Sequence, residues 1–296
     1  MTQSHRLFRN LFAATASVGT LLAAGSAAAE MQFQLQDRDV ARMVSLGGSC
    51  NRCELSGRNL SGATFTGATF VSATLVGANL RGAELVGSNF SSSDFTRADL
   101  HGAEIQGSNF TASLFSGAVL SGAEAQGSNF SRADLSEADL SGAELVGANM
   151  NAAVLTRANL TGAELFGTTL ANVSARSANF SNAEMNAANM AGGDFASASF
   201  VNAEMDGARL SGASFSRANF SGASMNRADI RGADLSRATG LTQAQISTAC
   251  GDASTRLPSR LTARNCTRII VRAPPRPPAP PAPPQPRRNI VIADAN

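Results

Sequence analysis

The chain has 296 residues, 43% of them hydrophobic, with 24 Lys plus Arg against 22 Asp plus Glu and a formal net charge of +2. A balance this close to neutral carries no general affinity for nucleic acid. There is no Trp, Tyr or Lys; with no aromatic residue free at most outward positions of the pattern described below, a stacking platform for sugars or bases is not expected.

In chain order, His5, Arg6 and Arg9 precede an apolar, small-residue stretch from Leu11 to Ala24, and Ala27-Ala28-Ala29 offers an A-x-A site before Glu30. This order predicts a cleaved secretory signal peptide over residues 1–29. The stretch is too rich in Ala, Gly and Ser for an uncleaved anchor. No Arg-Arg pair points to twin-arginine export, and no later segment is long and apolar enough to span a membrane. The expected location is the periplasm or the exterior of a bacterial cell. Residues 30–52 then hold Val40, Met43 and Val44 at helical spacing after Asp37, which predicts a short capping helix, followed by the C-x-x-C of Cys50 and Cys53.

From Leu55 to Leu235 every fifth residue is apolar, an unbroken register of 37 pentads, and the residue two before it is almost always small, as at Ala63, Ala68, Ala73 and Ala78. Neither a helix nor an ordinary strand produces a strict five, so one geometric unit is repeated about once per pentad. Segments such as SGAEL, RADLS and GANLR resemble the A-(D/N)-L-x-x signature of pentapeptide-repeat proteins, over residues 53–238. The resemblance implies an all-β fold, a right-handed quadrilateral parallel β-helix with four pentads per coil and the apolar and small residues inward. It implies no reaction.

A second period supports four sides independently. RGAEL at 81–85 recurs in related form every twenty residues to VNAEM at 201–205, and Phe70, Phe90, Phe110 and Phe130 fall in the same register, as do Phe180, Phe200 and Phe220. With coils about 4.8 Å apart, about nine of them make a rod on the order of 45 Å long. Such a register leaves no room for a second globular domain. Ala175 is a shrunken core position, and the enlarged Val173 in its own pentad reads as volume compensation. Ala125 has no such counterpart.

The sharpest chemical feature is a column of carboxylates. Glu84, Glu104, Glu124, Glu144, Glu164, Glu184 and Glu204 stand just before the inward apolar residue, once per coil. Charges about 5 Å apart repel by about 1 kcal/mol in water and by several at an interfacial dielectric, so the row is expected to attract cations or a basic partner. The alternative is that the side chains splay into solvent and were copied when the coil duplicated. A calcium site would need more oxygen ligands than the pattern supplies, and no metal or cofactor is expected. On an adjacent side, Asn89, Asn109, Asn129 and Asn149 are expected to bond to turns or to each other. No catalytic set emerges: His101 is the sole His after residue 29 and is outward, and the serines follow the repeat with no recurring base. Phe166 is the one aromatic expected to be exposed.

Beyond the repeats, 239–268 reads as a C-terminal cap, with a helix over Leu241–Cys250, Thr242 as N-cap and Gly251 as stop. Residues 269–296 form a Pro/Arg-rich tail, expected to be a disordered spacer or docking strip. Within it APPRPPAPPAPPQPRR, residues 273–288, holds nine of the 10 prolines and must be extended polyproline II. The rod and tail differ in charge, with 17 acids against 11 Arg over 54–238 and 8 Arg against 2 Asp over 239–296.

Cys50 and Cys53 precede the rod and Cys250 and Cys266 follow it. Glu54 stands where haem attachment requires His, and a four-Cys zinc site is excluded by about 45 Å of intervening rod. A thiol-redox pair would need a βαβ context and an activating helix N-terminus. A local structural disulfide at each end is the favoured reading. Closing a loop of some fifteen residues between Cys250 and Cys266 stabilises by about 3 kcal/mol. Exported pentapeptide-repeat proteins are similar at both ends, with a C-x-x-C before the rod and an L-T-x-x-Q-like cap after it. The resemblance also allows a homodimer through the C-terminal helix.

Three function classes follow. The leading one is a non-enzymatic, exported binding or scaffold protein engaging a protein or an anionic envelope polymer. The second, from the family resemblance, is a cytosolic DNA mimic that binds a type II topoisomerase; the signal peptide and a rod net charge of only −6 oppose it. The third is a C-x-x-C thiol-redox protein.

Overall fold

The computed structural model describes residues 48–266. The signal peptide expected over residues 1–29, the helix expected around Val40 to Val44 and the Pro/Arg-rich segment of residues 269–296 lie outside them. Within them the chain is a right-handed quadrilateral parallel β-helix. Each pentad contributes one residue to a ladder, and that residue pairs in parallel with the residue twenty further on, from Ser49 with Thr69 to Asn219 with Thr239. Twenty residues per coil at five per side makes four sides. Side A carries Thr64, the seven glutamates and Ser224; side B runs Ser49, Thr69, Asn89 and onward to Asp229; side C contains Asp94 and Leu114; side D contains Asn79 and Asp99.

Backbone bonds account for the five-residue period. In a typical pentad the Leu145 N–H donates to the Glu164 carbonyl of the next coil at 2.7 Å, and the Glu144 N–H to the Ala123 carbonyl of the previous one at 2.9 Å. The corner is a turn in which the Ala148 N–H returns to the Leu145 carbonyl at 2.9 Å, with φ of +66° at Gly147. A positive φ at the third residue of a turn defines type II and favours glycine there.

The interior is a narrow, largely apolar column. Apolar residues such as Leu85, Leu145 and Leu235 and small ones such as Ala83 and Ala143 are fully buried. Phe70, Phe90, Phe110 and Phe130 stack along one side with centroids 4.7, 5.5 and 5.0 Å apart, and Phe95 and Phe115 stack beside them at 4.7 Å. The two stacks meet edge to face, a favourable aromatic geometry. Where serine replaces alanine its hydroxyl is not orphaned: Ser93 Oγ donates to the Phe70 carbonyl at 2.6 Å and accepts the Ala73 N–H at 3.1 Å. Ser108, Ser113 and Ser128 likewise donate to carbonyls of the preceding coil.

Both disulfides are formed, with Cα–Cα distances of 5.4 Å for Cys50–Cys53 and 5.2 Å for Cys250–Cys266. The first bridges a corner of the opening coil, where the Cys53 N–H bonds the Cys50 carbonyl at 3.3 Å. At the other end the helix α1 spans Gln243–Thr248 with a capping box between Thr242 and Gln245. It is shorter than the expected Leu241–Cys250. Ala249 is already extended, and Cys250 rejoins the ladder, its N–H on the Ala228 carbonyl and its carbonyl accepting from Ile230, both at 2.8 Å. Cys250 and Gly251 form β1, paired in parallel with β2, Arg264–Asn265. Thus α1 occupies the side A slot of a last, partial coil, with Ile246 buried against the core.

Candidate binding face

The structure places all seven glutamates in one continuous ladder, each pairing through its backbone with the next, from Glu84 with Glu104 to Glu184 with Glu204. Their side chains point out from side A; Glu144 is half-buried and the other six are exposed.

What distinguishes this side is how the other three use the equivalent position. On side B the Oδ1 atoms of Asn89, Asn109 and Asn129 accept the N–H two residues on, at 3.1, 3.1 and 3.0 Å. Asn109 Nδ2 also donates to Asn89 Oδ1 at 3.1 Å. Asp94 and Asp134 on side C, and Asp99 and Asp139 on side D, cap their corners in the same way. These short side chains are thereby committed to the backbone. The seven glutamates cap no corner among the described residues. Their carboxylates are outward acid groups that no corner uses.

Nor are they neutralised. The ion pairs among the described residues are Arg81–Asp99, Arg157–Glu137, Arg176–Asp194, Arg231–Asp229 and Arg256–Asp234, and none includes a column glutamate. What the column receives is amide and hydroxyl donors. Thr64 Oγ1 bonds Glu84 at 3.2 Å, Gln106 Nε2 bonds Glu124 at 2.6 Å, Gln126 reaches Glu144, and Asn186 Nδ2 bonds Glu204 at 3.1 Å. Sequence reasoning missed Gln106 and Gln126. The signal was present, since both follow the inward residue of side A and so point along the corner toward the next glutamate. Glu104, Glu164 and Glu184 receive no side-chain hydrogen bond among the described residues. At the end of the column burial pushes Asp206 up, but bonds from Ser224 and Asn226 outweigh it and hold its carboxyl below the usual range.

The A–B corner runs beside the glutamates. It carries half-buried Val86, Gln106, Gln126 and Val146 and then Phe166, which is 56% exposed. His101 is exposed, with Nδ1 2.9 Å from Ser121 Oγ on the next coil. Among the described residues no group of three or more His, Cys, Asp or Glu is arranged to hold a metal ion, and no helix is long and apolar enough to cross a membrane.

The profile of the family described as pentapeptide repeats matches in 8 copies, over residues 49–85, 73–111, 113–151, 133–172, 178–217 and 203–239. Among solved structures, HetL from the cyanobacterium Nostoc sp., a pentapeptide repeat protein involved in heterocyst differentiation regulation, is 31% identical with a TM-score of 0.58. That match covers 69% of this chain and 90% of HetL. QnrB1, a plasmid-mediated fluoroquinolone resistance protein, is 19% identical over 70% of this chain and 94% of its own, with a TM-score of 0.36. A pentapeptide repeat protein from the Arabidopsis thaliana thylakoid lumen is 28% identical over 39% of this chain and 66% of its own, with a TM-score of 0.21. No curated protein matches.

Proposed function

The chain belongs to the pentapeptide-repeat family, and from that premise we propose that it is an exported, non-enzymatic binding protein whose side A engages a basic protein of the cell envelope or exterior. The observation that carries this reading is a carboxylate ladder that caps no corner and pairs with no Arg among the described residues. The other sides spend their Asp and Asn residues on corners. Seven like charges at about 4.8 Å spacing form a field that a basic partner relieves. Export is supported by the basic, apolar and A-x-A order of residues 1–29 and by four cysteines that pair locally.

A duplex carries one charge per about 1.7 Å of axis, far denser than this single row, so the topoisomerase reading is the weaker one. The thiol-redox reading is weaker still, because Cys50 and Cys53 occupy the inward positions of the first coil.

Two experiments test the proposal. Intact mass after cell fractionation, with and without thiol alkylation, should show a periplasmic or secreted species lacking residues 1–29 with all four cysteines unreactive. A full-length cytosolic species with free thiols overturns export. Affinity capture from an envelope extract should retain a basic protein that is lost when Glu124, Glu144, Glu164 and Glu184 are all changed to Gln; equal retention overturns the role of side A.

A further inference from the structure

Phe166 is the one exposed aromatic among the described residues, and it stands beside the glutamate ladder. Its backbone lies between Glu164 on side A and Thr169 on side B, one coil beyond half-buried Val146. The other exposed large apolar residue, Leu114, is on side C, across the rod. The A–B corner thus offers an exposed phenyl ring next to the side that carries Glu144, Glu164 and Glu184. An aromatic surface with acid groups beside it matches a proline-rich, arginine-bearing strand, because proline rings pack on aromatic faces and guanidinium groups pair with carboxylates.

This chain contains such a strand. Residues 273–288 read APPRPPAPPAPPQPRR, with Arg276, Arg287 and Arg288, and the approach from Cys266 adds Arg268 and Arg272. Its prolines have no N–H to add to a sheet edge, so contact must come from rings and charges. Asp294 is the sole acid after Cys266. The described chain also ends in the right place. Cys266 is tied to Cys250, which extends the ladder of side B, next to the A–B corner.

The lengths agree. From Arg264 in β2 down side B to Thr169 is five ladder steps, about 24 Å. The ten residues from Cys266 to Arg276 span about 31 Å as polyproline II, enough to bring Arg276 and Pro277 to Phe166. Arg272 then lies ~12 Å before Arg276, close to the two steps of about 10 Å from Glu164 to Glu204.

We infer that residues 272–288 dock on side A of their own rod, with proline rings over Phe166 and Arg272 and Arg276 on the glutamate ladder. The inference rests on side A being the binding face and adds its regulation: a partner must displace the tail, so the tail sets a threshold of affinity and excludes weakly basic ligands.

The test uses the full chain with Phe166→Trp, a single emitter because the protein has no Trp or Tyr. Tethering holds the tail at an effective concentration in the mM range, so acrylamide quenching of the indole should be about threefold slower with the native tail than with Arg272→Glu and Arg276→Glu together. Salt at about 0.5 M should remove the difference. Circular dichroism of both variants should be the same, since neither the corner nor the tail substitutions touch the core. Equal quenching with the two tails overturns the inference. So does protection that disappears on 100-fold dilution, which would mean exchange between copies, or an indole shielded regardless of tail charge. No partner is present in this measurement, so its outcome is separable from that of the capture experiment.

Discussion

Val173 stands one coil below Gly193, and its Cγ2 methyl lies 3.2 Å from where a β-carbon on Gly193 would be. Phe195 Cε2 lies 2.6 Å from the same point. Large and small residues therefore alternate in two directions, Val173 beside Ala175 within a pentad and Val173 under Gly193 between coils. Gly193→Ala should overpack this site and destabilise the rod by about 1–3 kcal/mol. Denaturant melts check it, and adding Val173→Ala should recover part of the loss.

Phe110 has four aromatic neighbours, Phe90, Phe95, Phe115 and Phe130, at centroid distances of 5.5, 5.7, 5.4 and 5.0 Å. Phe110→Ala should cost about 3–5 kcal/mol. Phe110→Asp adds an unpaired buried carboxylate and should unfold the rod, read as loss of the β signal in circular dichroism.

Glu124→Gln should behave oppositely. The side chain is exposed, its contact is the Gln106 amide at 2.6 Å, and the change removes repulsion from Glu104 and Glu144. Stability should shift by no more than about 0.5 kcal/mol, toward stabilisation. Unfolding on this change would give the column a structural role.

Gly147 isolates backbone cost from packing. A β-carbon there meets nothing within 4 Å, yet φ is +66°. Gly147→Val should therefore destabilise by about 1–2 kcal/mol through conformation alone.

Asp252 should make the C-terminal cap acid-sensitive. Ser254 Oγ donates to its carboxylate at 2.7 Å, and the N–H groups of Gly232, Ser254 and Thr255 and the Thr255 hydroxyl donate as well. Led by the Ser254 hydroxyl, these donors lower its pKa from 3.8 to about 2. A depressed folded value means that the stabilisation is complete above 3.8 and is lost as pH falls through about 2. Amide exchange at Gly232 and Thr255 should accelerate across that window in the native protein and lose most of this dependence in Asp252→Asn.

The fold was legible because a five-residue period admits few geometries and the twenty-residue recurrence of GAEL-like pentads counts the sides. Thr242 was legible as an N-cap because Gln245 completes the capping box. The end of α1 was not, since Ile246 continues a helical pattern, and only the rung between Cys250, Ala228 and Ile230 shows that the ladder takes the chain back. The asparagines of side B could be assigned to turns from residue type. That the glutamates of side A cap no corner could not, because it depends on which N–H groups each carboxylate reaches. Gly193 was hidden for a simpler reason: glycine is common elsewhere in these pentads, and its role appears only beside Val173.

The Gln245 side chain has a further consequence. Its Nε2 donates to the carbonyls of Phe220 and Ala223 at 3.0 and 2.8 Å. The Ala223 carbonyl is the acceptor that the next coil would claim if the repeat continued. In-register parallel stacking is the same geometry by which fibrils elongate, each layer templating its successor. By taking up that acceptor with a side chain and laying α1 across the rung, the cap supplies a stop codon in three dimensions, and a rod without it would present a template to the next molecule.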